Sequence, residues 1–195
     1  MDDQPARVPD DLYQEGRAHD GPLADRLLRL RNMTPDAARL ISTLIRARRA
    51  TSVLEIGTSN GYSAIWFADA LRDTGGRLTT VDTEAARVTA ALANLERAGV
   101  RGYADVRHAD GAETLAGTPD ASVDLVVLDA ERPAYAGYWP HLRRVLKPYG
   151  ILAVDNVVSH RDQVAAFREL LASAAEFAVD LHEVGDGVLT GVRVR

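Results

Sequence analysis

Between residues 52 and 175, short apolar runs alternate with longer stretches in which apolar side chains recur every three or four positions. The runs at 52–56, 77–81, 103–107, 123–128 and 150–154 read as strands, and the stretches 61–71, 84–98, 112–115, 134–146 and 162–175 read as helices. Such alternation builds a parallel sheet with helices on both faces. Ahead of it, 23–30 and 36–48 carry helical periodicity, the second opened by Thr34 as N-cap and Pro35 in the first turn. Behind it come two short β-rich runs, 178–184 and 188–194, joined by Gly185-Asp186-Gly187, which predicts an antiparallel hairpin. The expected fold is α/β: a Rossmann-like, doubly wound, mostly parallel seven-stranded sheet closed by a C-terminal hairpin. One domain is expected over 1–195, with 1–50 as a helical cover and 51–195 as the core.

Composition narrows the picture. A chain of 195 residues, 46% hydrophobic and 26% charged, can bury a core as one unit, and no Pro/Gly/Ser-rich linker, charge block or internal repeat divides it. The absence of cysteine excludes disulfides, thiolate metal sites and cysteine nucleophiles. A net charge of -5 weighs against binding nucleic acid by bulk electrostatics. Arg26, Arg29, Arg31, Arg39, Arg46, Arg48 and Arg49 nevertheless gather positive charge near the N-terminus, and their plainest reading is a solvated helix face. The polar start and the lack of a long apolar stretch predict a soluble, cytoplasmic protein with no membrane contact.

The chemistry-bearing stretch runs from Val53 to Ser63, a strand that enters a glycine turn and then a helix. Glycines admit close backbone approach, and the helix start offers free N–H groups, so the unit suits a nucleotide-like ligand. A dinucleotide fingerprint needs a middle glycine for the pyrophosphate, and here Ser59 stands between Gly57 and Gly61. Asp82 closes the next strand about 20 residues on, where an acid accepts hydrogen bonds from ribose hydroxyls; the alternative is a solvated strand-end acid. Asp110-Gly111-Ala112 lies either at an adenine edge or as a helix N-cap.

Asp129 and the pair Asp155-Asn156 end two strands expected to be neighbours. Two carboxylates and an amide oxygen, with neither His nor Cys adjoining, suit a hard cation such as Mg²⁺ completed by water and substrate oxygens. The competing reading makes Asp129 a loop acid and Asp155-Asn156 an Asx-type turn.

Taken in order, Glu55 two residues before Gly57, Gly61-Tyr62-Ser63, Asp129-Ala130 with Tyr135, Asp155-Asn156 and Val184-Gly185-Asp186-Gly187 resemble the cation-dependent O-methyltransferases, the family of catechol and caffeoyl-coenzyme A methyltransferases and their bacterial relatives. The likeness runs from about Leu23 to the C-terminus. It implies that S-adenosylmethionine is held by Glu55, Gly57, Thr58, Ser59, Gly61, Ser63, Asp82, Thr83, Asp110, Gly111, Ala112 and Asp129, with Met33 or Thr34 covering it. It further implies Mg²⁺, or a cation such as Mn²⁺ or Ca²⁺, on Asp129, Asp155 and Asn156, a small catechol-like or hydroxylated aromatic acceptor, and a homodimer.

This chain departs from the family at three places. Arg132 occupies a position where relatives commonly carry a lysine able to take the phenolic proton; a guanidinium stays protonated, so it can only stabilise charge. His160 is a candidate substitute base, its alternative being a cap or surface group. The segment after Asn156 lacks the Trp and Gly of plant members, and the N-terminus is shorter. Tyr135, Tyr138 and Trp139 suit either an aromatic gate or ordinary packing. Two other functions compete: methylation of a hydroxylated uridine in tRNA, served by the arginines, and a silent S-adenosylmethionine-binding module.

Overall fold

A computed structural model describes residues 4–25 and 28–194. Seven strands, β1 (Ser52–Ile56), β2 (Arg77–Asp82), β3 (Ala104–His108), β4 (Val123–Leu128), β5 (Leu146–Val154), β6 (Phe177–His182) and β7 (Val188–Arg193), form one sheet. Their order is β3-β2-β1-β4-β5-β7-β6. The first five are parallel, whereas β7 runs antiparallel to both β5 and β6. The expected hairpin is therefore present, and its second strand lies inside the sheet while its first forms the edge.

Helices α1 (Gln4–Asp20), α2 (Pro35–Arg48), α3 (Tyr62–Thr74), α4 (Ala85–Arg97), α5 (Gly111–Gly117), α6 (Tyr135–Val145) and α7 (Arg161–Ser173) cover the sheet. Side chains of α1, α2 and α3 enter one apolar cluster, joined by Leu95 of α4; Leu115 of α5 and the apolar faces of α6 and α7 form the other. Strand β4 divides its residues between the two, Leu125 and Val127 into the first and Val126 and Leu128 into the second. All six of its residues are buried, as expected of a parallel strand covered on both faces.

Helix α2 forms where its sequence predicts it. The Thr34 hydroxyl oxygen accepts from the Ala37 N–H, Pro35 sits in the first turn, and Arg49 closes the helix in the left-handed region at φ 53°. Ile41 and Ile45, four apart, are fully buried. Truncating either to alanine removes a core side chain, at a cost of about 2–5 kcal/mol.

The N-terminal cover differs from its expectation. The helix is α1, while the described part of 23–30 is not an α-helix: 23–25 are irregular, Leu28 is in a 3-10 conformation, and Arg26 and Leu27 lie outside the described residues. Helix α1 escaped notice because it is mostly polar and contains Pro9; among its described side chains, Val8, Leu12 and partly buried Tyr13 touch the core. It stops at Gly21-Pro22, since proline restricts the residue before it to extended conformations. Of the described leucines beyond, Leu23 and Leu30 are half-buried and Leu28 is 61% exposed. Asp20 then ties down the strap that follows, accepting from the N–H groups of Leu30 at 2.7 Å and Arg31 at 2.8 Å.

Among the described residues, no helix is long and apolar enough to cross a membrane. Strand β5 begins four residues before the expected start at Gly150, with a register shift against β4 between Val123 and Leu125.

Candidate functional site

The sheet order reverses at β1, whose neighbours β2 and β4 leave it on opposite sides, and a crevice opens beyond the carboxyl ends of such strands. A cavity of about 430 Å³ lies there. Its floor begins at Gly57, which has φ 108° and faces the backbone of Asp129 so closely that a Cβ would stand 2.3 Å from the Asp129 carbonyl oxygen. Only glycine serves at this point, on both steric and conformational grounds. The Gly57 and Thr58 N–H groups both donate to Val81 O, at 2.9 and 3.2 Å. Gly61, at φ 85°, starts α3 with its missing Cβ against Ala91.

Ser59 takes a left-handed φ of 47°, which aims its N–H at Asp82 Oδ2 (2.8 Å) and its hydroxyl at Leu30 O (2.9 Å). The residue that breaks the dinucleotide fingerprint thus fastens the N-terminal strap to the glycine turn. Asp82 is not the solvated acid of the alternative reading. It is 8% exposed, accepts from the N–H groups of Ser59 and Glu84, and lines the cavity beside Thr83. Asp110 takes the N-cap reading, its carboxylate capping α5 by accepting from the Ala112 and Glu113 N–H groups, and it also lines the cavity with Gly111. A Cβ on Gly111 would stand 3.1 Å from the Tyr138 hydroxyl, so Tyr138 closes over that wall.

Other candidates stand behind the wall. Glu55 is fully buried and accepts from Ser63 Oγ and Thr80 Oγ1, both at 2.6 Å, while Thr58 Oγ1 lies 2.6 Å from Thr80 Oγ1. Desolvation, with a smaller contribution from the Asp82 charge, pushes its carboxyl up to about 7 against the two hydroxyl donors. These side chains shape the turn from beneath, and Glu55, Thr58, Gly61, Ser63 and Ala112 do not line the cavity.

Met33 is corrected outright: it is 2% exposed within the core cluster beneath α1, and Leu30 and Arg31 cover the cavity instead. Thr34 is engaged as the N-cap of α2. No sequence signal marks the strap, because a left-handed arginine, φ 52° at Arg31, has no motif.

At the cavity's inner end, β4 and β5 finish side by side with Leu128 opposite Val154. Their next residues extend the ladder, as Asp129 N–H donates to Ile56 O and Asp155 N–H to Leu128 O. Asn156 holds φ 64°, a conformation asparagine tolerates better than most residues, and its amide nitrogen lies 3.0 Å from Asp129 Oδ1 and 3.1 Å from Asp155 Oδ2. The three side chains therefore meet at one point. Asp155 Oδ1 is buried with no hydrogen-bond partner. Burial first, then the Asp155 and Glu55 charges, raise the Asp129 carboxyl well above the usual range, against the pull of Arg132 and Arg31. Burial likewise lifts Asp155 to about 7, with Asp186 adding to the shift.

Arg132 is 4% exposed. Its Nε is buried without a partner, and its contact to Gln163 Oε1 is long at 3.5 Å. Tyr135 explains its spacing from Asp129: its hydroxyl accepts from Ala130 N–H and donates to Ala130 O, both at 2.9 Å, locking the turn that carries Asp129. It is a clamp, not a gate. Trp139 packs between Phe167 and Phe177 in the core. His160 stands outside the cavity lining, at the N-cap of α7 with its Nδ1 2.8 Å from Ser159 Oγ, which withdraws it as a substitute base.

The N-terminal arginines do not form a free basic stripe. Arg46 bonds Asp69 and Asp73, Arg39 bonds Asp36, Arg48 reaches Tyr149 O and Asp124, and Arg31 pairs with Glu131; Arg26 lies outside the described residues.

A glycine turn at the reversal of the sheet, an acid closing β2 and an antiparallel β7 inserted beside β5 define the Rossmann-like methyltransferase class. Comparisons with known proteins carry this further. The O-methyltransferase family model matches residues 24–188. An O-methyltransferase of Mycobacterium bovis is 32% identical over 175 residues, covering 83% of this chain and 77% of that one. The catechol O-methyltransferase of Niastella koreensis is 28% identical over 130 residues, covering 65% of this chain and 58% of its own length. Among solved structures, the O-methyltransferase TomG from Streptomyces achromogenes, involved in tomaymycin synthesis and in complex with S-adenosylmethionine, aligns over all of this chain and 91% of its own at TM-score 0.75 and 28% identity. The O-methyltransferase of Bacillus cereus, in complex with S-adenosylhomocysteine, shares the fold at TM-score 0.79 and 23% identity, over 95% and 90% of the two chains. The chain belongs to the O-methyltransferase family, a family of enzymes.

Proposed function

We propose that this protein moves the methyl group of S-adenosylmethionine to one hydroxyl of a catechol-like aromatic acceptor, with a divalent cation held by Asp129, Asp155 and Asn156. The observation that carries this reading is the meeting of those three side chains within 3.1 Å of one amide position at the cavity's inner end. The residues suit a hard cation. The donor set is all oxygen once the Asn156 amide is turned about its last torsion, Asp155 Oδ1 is buried without a partner, and burial raises both carboxyls, a strain that positive charge relieves. When bound, such a cation lowers the pKa of a coordinated hydroxyl and fixes its oxygen toward the methyl donor.

The chain's own residues supply orientation and charge. Asp82 faces the ribose hydroxyls, Gly111 and Tyr138 enclose the adenine end, and the Leu30–Arg31 strap covers the cofactor. Asp129 places a carboxylate at the junction of the cofactor cavity and the cation site, near the positive sulfur. In the transfer, the sulfur–methyl bond breaks with its electron pair left on sulfur, a carbon–oxygen bond forms, and the acceptor's proton leaves to solvent. Arg132 takes no proton at any working pH; its buried guanidinium holds the negative charge of the ionised acceptor.

Methyl transfer from labelled S-adenosylmethionine to a panel of catechols, run with Mg²⁺ and with excess chelator, tests the reading. Transfer that chelator abolishes is the expected result. Transfer that persists in chelator removes the cation from the proposal, and a cofactor-bound protein that methylates no catechol removes the acceptor class.

A further inference from the structure

The Val184-Gly185-Asp186-Gly187 run does not line the cofactor cavity and gives no ligand to the proposed cation site. Its place follows from the order of the sheet. Strand β7 is antiparallel to β5, with Leu189 opposite Val154, so the turn that leads into β7 abuts the residues that follow β5. Those residues are Asp155, Asn156 and a stretch of turns, 157–160, that belongs to no helix or strand. Its N–H groups find their acceptors in the hairpin turn. Val157 donates to Gly187 O at 3.1 Å, and Val158 and Ser159 both donate to Asp186 O, at 2.9 and 3.2 Å. The turn itself is closed by the Gly187 N–H on Val184 O at 2.9 Å, and Val157 and Val188 beside it are fully buried.

The two segments approach closely enough to require glycine. Gly187 holds φ 89°, and a Cβ there would overlap Val158 Cγ2 and stand 2.9 Å from the Val158 nitrogen, the atom that donates to Asp186 O. Gly185, at φ 55°, faces the other way, its missing Cβ lying against the Thr34 side chain at the N-cap of α2. One turn thus touches the loop after Asn156 through Gly187 and the helical cover through Gly185.

What the turn does for Asn156 depends on the state of the amide. With its nitrogen directed at Asp129 Oδ1 and Asp155 Oδ2, two side-chain bonds hold the residue. Presenting the amide oxygen to a cation gives up both. The residue is then fixed by its backbone, which stands at φ 64° and is followed at once by the three bonds to the hairpin. We infer that the β6–β7 turn positions Asn156 as a cation ligand, with Gly187 the positioning residue that lets the turn reach the loop. This rests on the proposed cation site and goes beyond it by assigning the element that holds one ligand in place. Groups behind a ligand govern metal affinity nearly as strongly as the ligand does.

The test pairs Mn²⁺ binding to the full chain, read from the paramagnetic resonance of the free ion, with calorimetric binding of S-adenosylhomocysteine. Gly187→Ala should weaken Mn²⁺ binding about ten- to a hundredfold while S-adenosylhomocysteine affinity stays near the parent's. Gly185→Ala puts a methyl group on the same turn but against Thr34, and should keep the parent's Mn²⁺ affinity. Parental Mn²⁺ affinity in Gly187→Ala overturns the inference, as does an equal loss of Mn²⁺ in the two variants, or a folded Gly187→Ala that loses both ligands alike. A parent chain that binds no Mn²⁺ removes the proposed cation site, and this inference with it; the other failures leave that site standing. Should Gly187→Ala not fold, amide exchange in the parent decides. Mg²⁺ is expected to slow exchange at Val157, Val158, Ser159 and Gly187 together, and slowing confined to residues outside the loop and the turn overturns the inference.

Discussion

Strand β4 carries one buried carboxylate near its start and another just past its end, and the two live in opposite surroundings. At the start, Asp124 Oδ2 accepts from the Thr51 and Ser52 N–H groups and from Lys147 Nζ, at 2.9, 3.0 and 3.0 Å. Burial opposes its ionisation, but the Thr51 N–H, Lys147 and the Ser52 N–H prevail and hold the carboxyl below its usual range. At the far end, Asp129 and Asp155 share one amide nitrogen between them, keep an oxygen without a partner, and are raised. The same residue type, five positions apart along the chain, is a fastener at one end of β4 and, past the other end, a raised carboxyl beside the unpartnered oxygen of Asp155. Satisfied burial stabilises a fold; unsatisfied burial is retained where another partner is to bind.

Substitution should separate the two ends. The largest effect belongs to Asp155→Asn, which removes a charge from the proposed cation site and should lower cation-dependent methyl transfer about a hundred- to a thousandfold. Because it also removes an unpaired buried carboxyl, urea unfolding at pH 8 without cation should show a variant at least as stable as the parent. Turnover retained in Asp155→Asn would erase the contrast. Asp124→Asn should do the reverse, lowering stability by about 2–4 kcal/mol, as expected when one partner of a buried charged cluster is lost, while methyl transfer at low temperature stays near the parent's.

The third prediction concerns Glu55, beneath the glycine turn. Its carboxyl is raised from 4.5 to about 7 in the folded state, so the unfolded chain releases this proton first. Stability from this group is full below about pH 4.5, declines as pH rises toward 7, and is level above it. Glu55→Gln deletes that titration. Comparing parent and variant by urea unfolding at pH 4.5 and pH 8, without cofactor, should show the difference shifting by about 3 kcal/mol in the variant's favour at the higher pH. A difference independent of pH would mean that Ser63 and Thr80 keep Glu55 ionised as a satisfied acid, and would place it with Asp124.

The reach of sequence reading differed by region for physical reasons. Strand β4 and helix α2 are legible because burial on two faces makes a continuous apolar run and burial on one face makes a 3.6-residue stripe. Helix α1 is not, because the buried Val8 and Leu12 carry too little of a period, whereas the leucines of 23–30 imitate one although none of those described is buried. Asp129, Asp155 and Asn156 stood out as residue types at strand ends, and Ser59 stood out as a break in a fingerprint. That Ser59 holds the strap to the glycine turn is invisible in sequence, since its partner Leu30 O is a backbone atom 29 residues away.

The sequence by itself determined the alternation of strands and helices, the glycine turn with its acid two residues ahead, and the choice of oxygen donors at the ends of β4 and β5. Tertiary structure alone decided that β4 and β5 finish level, so that three side chains meet at one point, that Arg132 is buried while His160 lies outside the cavity lining, and that Arg31 lines the cavity. The division has a physical cause: local periodicity and backbone sterics act between near neighbours in the chain, whereas convergence and burial depend on strands and loops that meet only after the sheet has assembled.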